Sequence, residues 1–206
     1  MRKRIGVGCI ALGLICQMIA IGFVVYNRHE AKSGAQTSKT LLEHAQAVIF
    51  EAAEPEVTPP EVSDAEQLQE TTPREMQTVP TGAYDCIGIL SIPVLELELP
   101  VLADWDYEKL KHAPCHYYGS CYTSDFVIAS HNYPAHFGRL SQLQAGDLVM
   151  FTDVTGTVHC YEVILLETLA ATATEEMITS GFDLSLYTCT PGGGNRVTVR
   201  CRTINP

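Results

Sequence analysis

The sequence predicts a mainly β domain, folded as a closed or nearly closed barrel with a few short helices, carried behind a transmembrane helix and a flexible stalk. Three observations carry that prediction. Ile5 to Tyr26 is a run of 22 residues without a formal charge. Residues 27–82 then hold ten acidic and four basic side chains and a Pro-Pro step. From Ala83 onward, short apolar or alternating runs recur between glycine, proline, asparagine and aspartate signals, with little helical periodicity. This last part, 83–206, has about 124 residues, enough for one core without staples.

An uncharged helix of 22 residues would be about 33 Å long and match a hydrocarbon core of roughly 30 Å. A cleaved signal peptide would have a shorter apolar region ending at a small-residue cleavage site. Here the run passes into Asn27-Arg28-His29-Glu30 with no A-x-A site, so an uncleaved anchor over 5–26 is expected. The basic tail 1–4 (Arg2, Lys3, Arg4) is expected to stay cytoplasmic, which places the remainder outside the cell. The formal net charge of −11 and the scarcity of Lys and Arg argue against a nucleic-acid partner, whose phosphates need cations.

Residues 27–82 read as an acidic, self-repelling spacer, most clearly at Glu56-Val57-Thr58-Pro59-Pro60-Glu61-Val62. Thr40–Ala53, rich in Ala, Leu and Glu, could form one short amphipathic helix within it. In the domain, Ile87–Ile92 is a buried strand ended by Pro93, and Leu95–Leu99 alternates cleanly before Val101-Leu102. Asp104–Lys111 suggests a short helix with an Asp cap, and His136–Gln144 a second. Phe126–Ala129, Leu148–Asp153, Val158–Leu166, Leu184–Cys189 and Arg196–Thr203 complete the strands, the last two joined by Pro191-Gly192-Gly193-Gly194-Asn195.

Among eight cysteines, Cys9 and Cys16 fall in the apolar span, and Cys86, Cys160 and Cys201 fall within strand runs, where a small hydrophobe is the default. Cys115 and Cys121 bracket His116, with His112 near, but CxxC-like or HxxxH-like spacing is missing, so no metal or other cofactor is expected. Cys189 differs, because it ends a strand and opens onto a glycine-rich turn. In a simple antiparallel hairpin it faces Arg196 at about 4.5–5.5 Å, where a guanidinium would favour thiolate or a developing oxyanion. Arg200, four residues on, is about 13 Å away along the strand. A nucleophilic cysteine also wants an imidazole. His131, directly after the Phe126–Ala129 strand, has the best context, and His136 is the alternative.

Ser185-Leu186-Tyr187-Thr188-Cys189 followed by Arg196 resembles the T-L-x-T-C…R signature of sortases. Val127-Ile128-Ala129-Ser130-His131-Asn132, then Phe137-Gly138-Arg139-Leu140 and Gly146-Asp147, is similar to that family's histidine strand and following helix. Ile89-Leu90-Ser91-Ile92-Pro93 is similar to its opening strand. The likeness runs from about Asp85 to Ile204. Ser185 departs from the usual Thr, keeping a hydroxyl, and Ser130 from the usual Gly. His131-Asn132 resembles class B, but the segment from His131 to Cys189 is short for the long helix class B inserts. Cys-Thr-Pro before a glycine-rich turn resembles classes C, D and E, although a class C lid motif is missing.

The resemblance implies a closed eight-stranded barrel and a membrane-anchored cysteine transpeptidase on the outer face of a Gram-positive cell. Cys189 would attack an LPxTG-like sorting signal, His131 would act as general acid and base, and Arg196 would hold the carbonyl or oxyanion. Thr188, Leu186 and Asn132 would contact substrate, and Thr168–Phe182 would line the groove. The acyl group would pass to an amine on a cell-wall precursor or a protein lysine. The rival expectations are an anchored binding module with an inert Cys189, a hydrolytic cysteine peptidase, and a Cys/His metal protein.

Overall fold

The computed structural model describes residues 2–53 and 75–204. The proline-rich stretch 56–62, read above as stalk, lies outside the described residues. After α1 (Arg2–Ala53) come β1 (Val79–Pro80), β2 (Asp85–Ile92), β3 (Leu97–Leu102), β4 (Cys115–Tyr118), β5 (Phe126–Ala129), β6 (Leu148–Asp153), β7 (Val158–Ala170), α2 (Thr174–Ile178), β8 (Leu184–Cys189) and β9 (Asn195–Thr203). The sheet order is β1-β2-β3-β4-β5-β8-β9-β7-β6, and β6 pairs back onto β2 through Gly88↔Asp153 to Ser91↔Met150. β2 to β9 thereby form a closed barrel, with β1 a short addition on β2. Closure leaves those strands without a free edge.

The alternation read in the sequence points one face of each strand into a common core. Leu90 and Ile92 from β2, Phe126 and Ile128 from β5, Phe151 from β6, and Leu184 and Leu186 from β8 are all fully buried there. Five expected strands, β2, β5, β6, β8 and β9, recur within a residue or two of their read bounds, but β7 runs on to Ala170, because Glu167 to Ala170 keep pairing with β9. β4 (Cys-His-Tyr-Tyr) has no apolar alternation to announce it. Two expected helices form only short 3-10 segments, Lys109–Lys111 and Phe137–Gln142. In the first, the capping carboxylate is that of Asp106, which accepts the Glu108 and Lys109 amides at 2.6 and 2.9 Å.

α1 is the larger surprise. It is one helix from Arg2 to Ala53, about 78 Å at 1.5 Å per residue. Its first part exposes large apolar side chains all round, from Ile10 to Tyr26, and it is long and apolar enough to cross a membrane. Past Arg28 the character changes to one buried stripe: Gly34, Ser38, Leu41, Ala45 and Ile49, spaced three or four residues apart. Leu41 packs into a cluster with Leu102, Leu110 and Val127, while Ala45 and Ile49 meet Cys86, Ile89 and Val154. Polar composition suggested a spacer here. In the structure those polar residues are the solvent face of a docked helix, and the absence of proline between Asn27 and Ala53 lets it run unbroken.

Candidate active site

β5 and β8 are parallel neighbours in the register Phe126↔Leu184 to Ala129↔Tyr187. Parallel strands end on the same side, so whatever follows each emerges at one rim of the barrel. The pairing persists one step beyond the ladder. Ser130 donates its amide to the Tyr187 carbonyl at 3.1 Å, and the Thr188 hydroxyl donates to the Ser130 carbonyl at 2.8 Å. His131 and Cys189 are the next residues on these two chains. On the far side of Cys189, β8 pairs with β9, and Cys189 stands opposite Arg196. The turn is closed by the Thr190 amide on the Asn195 carbonyl at 3.0 Å, with Gly192 and Gly193 at φ +85° and +75°. The register therefore brings His131, Cys189 and Arg196 to one rim from three adjacent strands. Cys189 is partly exposed there, whereas burial pushes the Cys86, Cys115 and Cys201 thiols up to about 11, 12 and 12.

The turn after His131 holds it in place. Phe137 donates its amide to the His131 carbonyl at 3.1 Å, and His136 and Gly138 both donate to the Tyr133 carbonyl at 2.9 Å. Gly138 is required because a Cβ would meet the Asn132 carbonyl oxygen at 2.5 Å. The His131 ring stacks on Tyr133, centroids 4.9 Å apart. Burial lowers the His131 pKa from the usual imidazole value and the Lys111 ammonium deepens the shift, while the Glu30 carboxylate opposes it. Glu30 comes from α1, and Lys111 lies 3.8 Å from it. Val24, Asn27, Glu30 and Ala31 of α1 face His131, Asn132 and Tyr133 across a cleft. α1 is thus one wall of the histidine side of the rim.

His136, the alternative base, is completely buried and has no hydrogen-bond partner on either ring nitrogen. Burial, with the nearby His131 and His112 imidazoles, takes its pKa down to about 4. It cannot reach a substrate. Leu186, expected to touch substrate, is also fully buried in the barrel core and packs it instead. Thr188 is buried too, and its hydroxyl is committed to Ser130. Asn132 remains exposed at the rim.

On the thiol's other side, the Arg196 guanidinium donates to the Gly193 and Asn195 carbonyls at 3.1 and 3.2 Å. It shares a cleft with Trp105, Tyr107, Tyr117, Tyr187 and, from the β7–β8 connection, Met177. The sequence reading missed this aromatic wall. Its signal was the chain's single tryptophan, Trp105, two residues before Tyr107. Arg200 is almost wholly buried and fully engaged. It donates to Glu167 Oε1 at 2.7 Å, Ser185 Oγ at 2.8 Å and the Glu176 carbonyl at 2.8 Å. It pins the β7–β8 connection to the barrel, and the hydroxyl kept by Ser185 serves that anchor.

The family model for the sortase domain matches residues 90–204. The chain belongs to the sortase family. Sortase C1 from Streptococcus suis is 28% identical, with a TM-score of 0.51 over 59% of this chain and 74% of that one. Sortase C-1 from Streptococcus pneumoniae is 26% identical, with a TM-score of 0.51 over 59% of this chain and 68% of that one. Sortase A from Corynebacterium diphtheriae, at 19% identity, shares the fold with a TM-score of 0.56 over 89% of this chain and 96% of that one. No curated protein matches significantly. Membership in the sortase family implies a cysteine transpeptidase acting on sorting-signal substrates and amine acceptors, built here as a barrel behind one long apolar helix.

Proposed function

We propose that this sortase cleaves an LPxTG-like sorting signal with Cys189 and transfers the acyl group to an amine on a cell-wall precursor or a protein lysine. The observation that supports it is the shared rim: Thr188 bonded to Ser130 beside Cys189 opposite Arg196. The Cys189 sulfur attacks the carbonyl carbon of the Thr–Gly-type bond. Arg196 N–H groups stabilise the oxyanion, at a cost of about 10²–10³ in rate when such a donor is lost. The C–N bond breaks as His131 gives its proton to the leaving amine, leaving a thioester. The incoming amine attacks the thioester, His131 takes its proton, and the C–S bond breaks to restore Cys189. The aromatic cleft beside Arg196 offers the apolar part of the signal a surface, and Asn132 lies at the opposite lip.

In this reading α1 is a single-pass anchor with the basic tail 1–4 in the cytoplasm and the barrel outside a Gram-positive cell. The decisive experiment incubates the full chain in detergent with a library of LPxTG-like peptides and a glycine-rich amine. The expected products are an acyl-enzyme on Cys189 and an amide that replaces acid as amine is added, both lost in Cys189→Ala. Acid alone at every amine concentration would indicate a hydrolase, and no cleavage of any peptide would indicate an inert module.

A further inference from the structure

A second cluster of reactive side chains stands at the opposite end of the barrel. β9 starts beside Cys189 and ends at Thr203, where it pairs with Tyr161 at the start of β7. Nine residues of β7 separate that end from the Ala170↔Asn195 pair near the rim, about 30 Å of strand. Here the β4–β5 connection, carrying Cys121, lies over the β6–β7 hairpin, which carries Asp153 and His159. The Cys121 sulfur, an Asp153 carboxylate oxygen and a His159 ring nitrogen all lie within 4.8 Å of one another. No step of the transfer reaction uses them.

The geometry points to a divalent metal site of the zinc class, with Cys121 Sγ, Asp153 Oδ2 and His159 Nε2 as ligands and one position left to water. A tetrahedral centre with metal–ligand bonds of about 2.0–2.3 Å separates its donors by about 3.3–3.7 Å. His159 Nε2 and Asp153 Oδ2 are already 3.2 Å apart, and the sulfur closes the triangle with a shift of about 1 Å.

The carboxylate is aimed. Its Oδ1 accepts the Thr155 amide at 2.9 Å, the Thr155 hydroxyl at 2.6 Å and the Thr157 amide at 3.1 Å. That leaves Oδ2 turned toward His159, steadied by the Tyr122 hydroxyl at 2.8 Å. The Tyr122 ring also meets the His159 ring edge-on at 5.5 Å. Such outer partners fix the orientation of metal ligands. Burial alone would raise the Asp153 pKa. Hydrogen bonds, those of Thr155 and Tyr122 foremost, outweigh it and hold the group at about 2, so the carboxylate is ionised. One thiolate, one imidazole and one carboxylate form a mixed S, N, O donor set that suits zinc or cobalt and not calcium or magnesium, which take oxygen alone. The three ligands come from two separate segments, so a bound ion would clip the β4–β5 connection to the β6–β7 hairpin and stabilise the barrel far from the chemistry.

The test uses the full chain in detergent, carrying Cys189→Ala so that the rim thiol contributes nothing. After chelation and buffer exchange, Co²⁺ is added and the near-ultraviolet thiolate-to-cobalt band and the tetrahedral d–d bands are read, followed by Zn²⁺ calorimetry and melting. The expected result is one equivalent bound with both bands, and a Tm increase of about 5–10 °C at a hundredfold excess over Kd. Adding Cys121→Ser should abolish the charge-transfer band, and His159→Gln should weaken Zn²⁺ by about 100-fold or more, since losing an outer partner of a ligand already costs about 10–100-fold. If His159→Gln does not fold, Cys121→Ser with an unchanged metal-free Tm decides the matter alone. A missing thiolate band, a band that survives Cys121→Ser, or a Tm indifferent to Zn²⁺ would overturn the site.

Discussion

At the scale of single residues, the rim divides its basic groups by whether their hydrogen bonds are already spent. Arg200 is saturated by Glu167, Ser185 and Glu176, whereas Arg196 holds only two turn carbonyls with one nitrogen and keeps donors for a substrate. Arg196→Lys retains the charge and loses the planar fork, so acylation should slow by about 10–10³-fold in kcat with melting unchanged. Single-turnover rates check this, and a variant as fast as the parent would remove Arg196 from the oxyanion role. His136 yields a prediction about stability. It is buried neutral with a folded pKa of about 4, against about 6.5 in the unfolded chain. Unfolded molecules bind its proton as pH drops through 6.5, and folded ones only near 4. Its contribution is therefore complete above about pH 6.5 and falls by a few kcal/mol between there and pH 4. Melting curves across that window should lose part of their pH slope in His136→Leu; equal slopes would refute the assignment. The sequence placed Cys189, His131 and Arg196 at the ends of neighbouring strands, since a strand end, a hairpin register and an ordered motif are local facts. It could not separate Leu186 from a substrate contact, because a core-facing and a rim-facing residue differ only through the register of β5 against β8.

At the scale of elements, most strands and the apolar half of α1 were legible, whereas β4, the 3-10 segments and the docking of α1 were not. Strand patterns such as Phe126–Ala129 and Leu184–Cys189 are fixed by apolar runs and turn residues close in sequence. β4 is not, since Cys-His-Tyr-Tyr buries only Cys115 and is held by partners up to 70 residues distant in sequence, such as Tyr187 against Tyr117. The helix read over Thr40–Ala53 is the end of the docked half of α1, with Leu41, Ala45 and Ile49 on its buried stripe, but the part before Thr40 was hidden because its stripe is built from the small residues Gly34 and Ser38, which carry little hydrophobic signal. Small residues are what close approach requires, as an added Cβ on Gly34 would collide with the Lys111 carbonyl oxygen. Gly34→Ala should raise stability by about 1 kcal/mol if the helix were free. If it is docked, overpacking of about 1–3 kcal/mol outweighs that gain and Tm falls. A rise in Tm would detach α1 from the domain. The same contact reaches the chemistry. Glu30 holds the His131 pKa up against burial, and Lys111 pushes it down. The activity limb that needs protonated His131 should move to lower pH in Glu30→Gln and to higher pH in Lys111→Gln, measured as kcat against pH.

At the scale of the whole molecule, the proposed anchor and the barrel share one continuous helix, which predicts a fixed distance between membrane and active site. The apolar part of α1 and its docked stripe are joined without a break at Asn27–Ala31, and Val24, within the apolar run, lines the same cleft as His131 and Asn132. Where Val24 lies at the edge of the hydrocarbon, the histidine side of the rim lies at the level of the headgroups. The Thr155 hairpin, at the barrel's other pole, stands about 30 Å further along the strands. A flexible stalk would give no such difference, since both poles would sample similar distances from the lipid. The chain's single tryptophan, Trp105, makes the difference measurable. In a Trp105→Phe background, a tryptophan is introduced by Asn132→Trp or by Thr155→Trp, and each protein is reconstituted into vesicles containing lipids brominated near the headgroup. The docked helix predicts strong quenching for the rim probe and little for the hairpin probe. Placing a proline at Gln36 by Gln36→Pro breaks the helix between anchor and domain, and should bring the two quenching efficiencies together. Equal quenching in the unbroken protein would mean that the anchor and the barrel move independently and that the helix does not set the height of the active site.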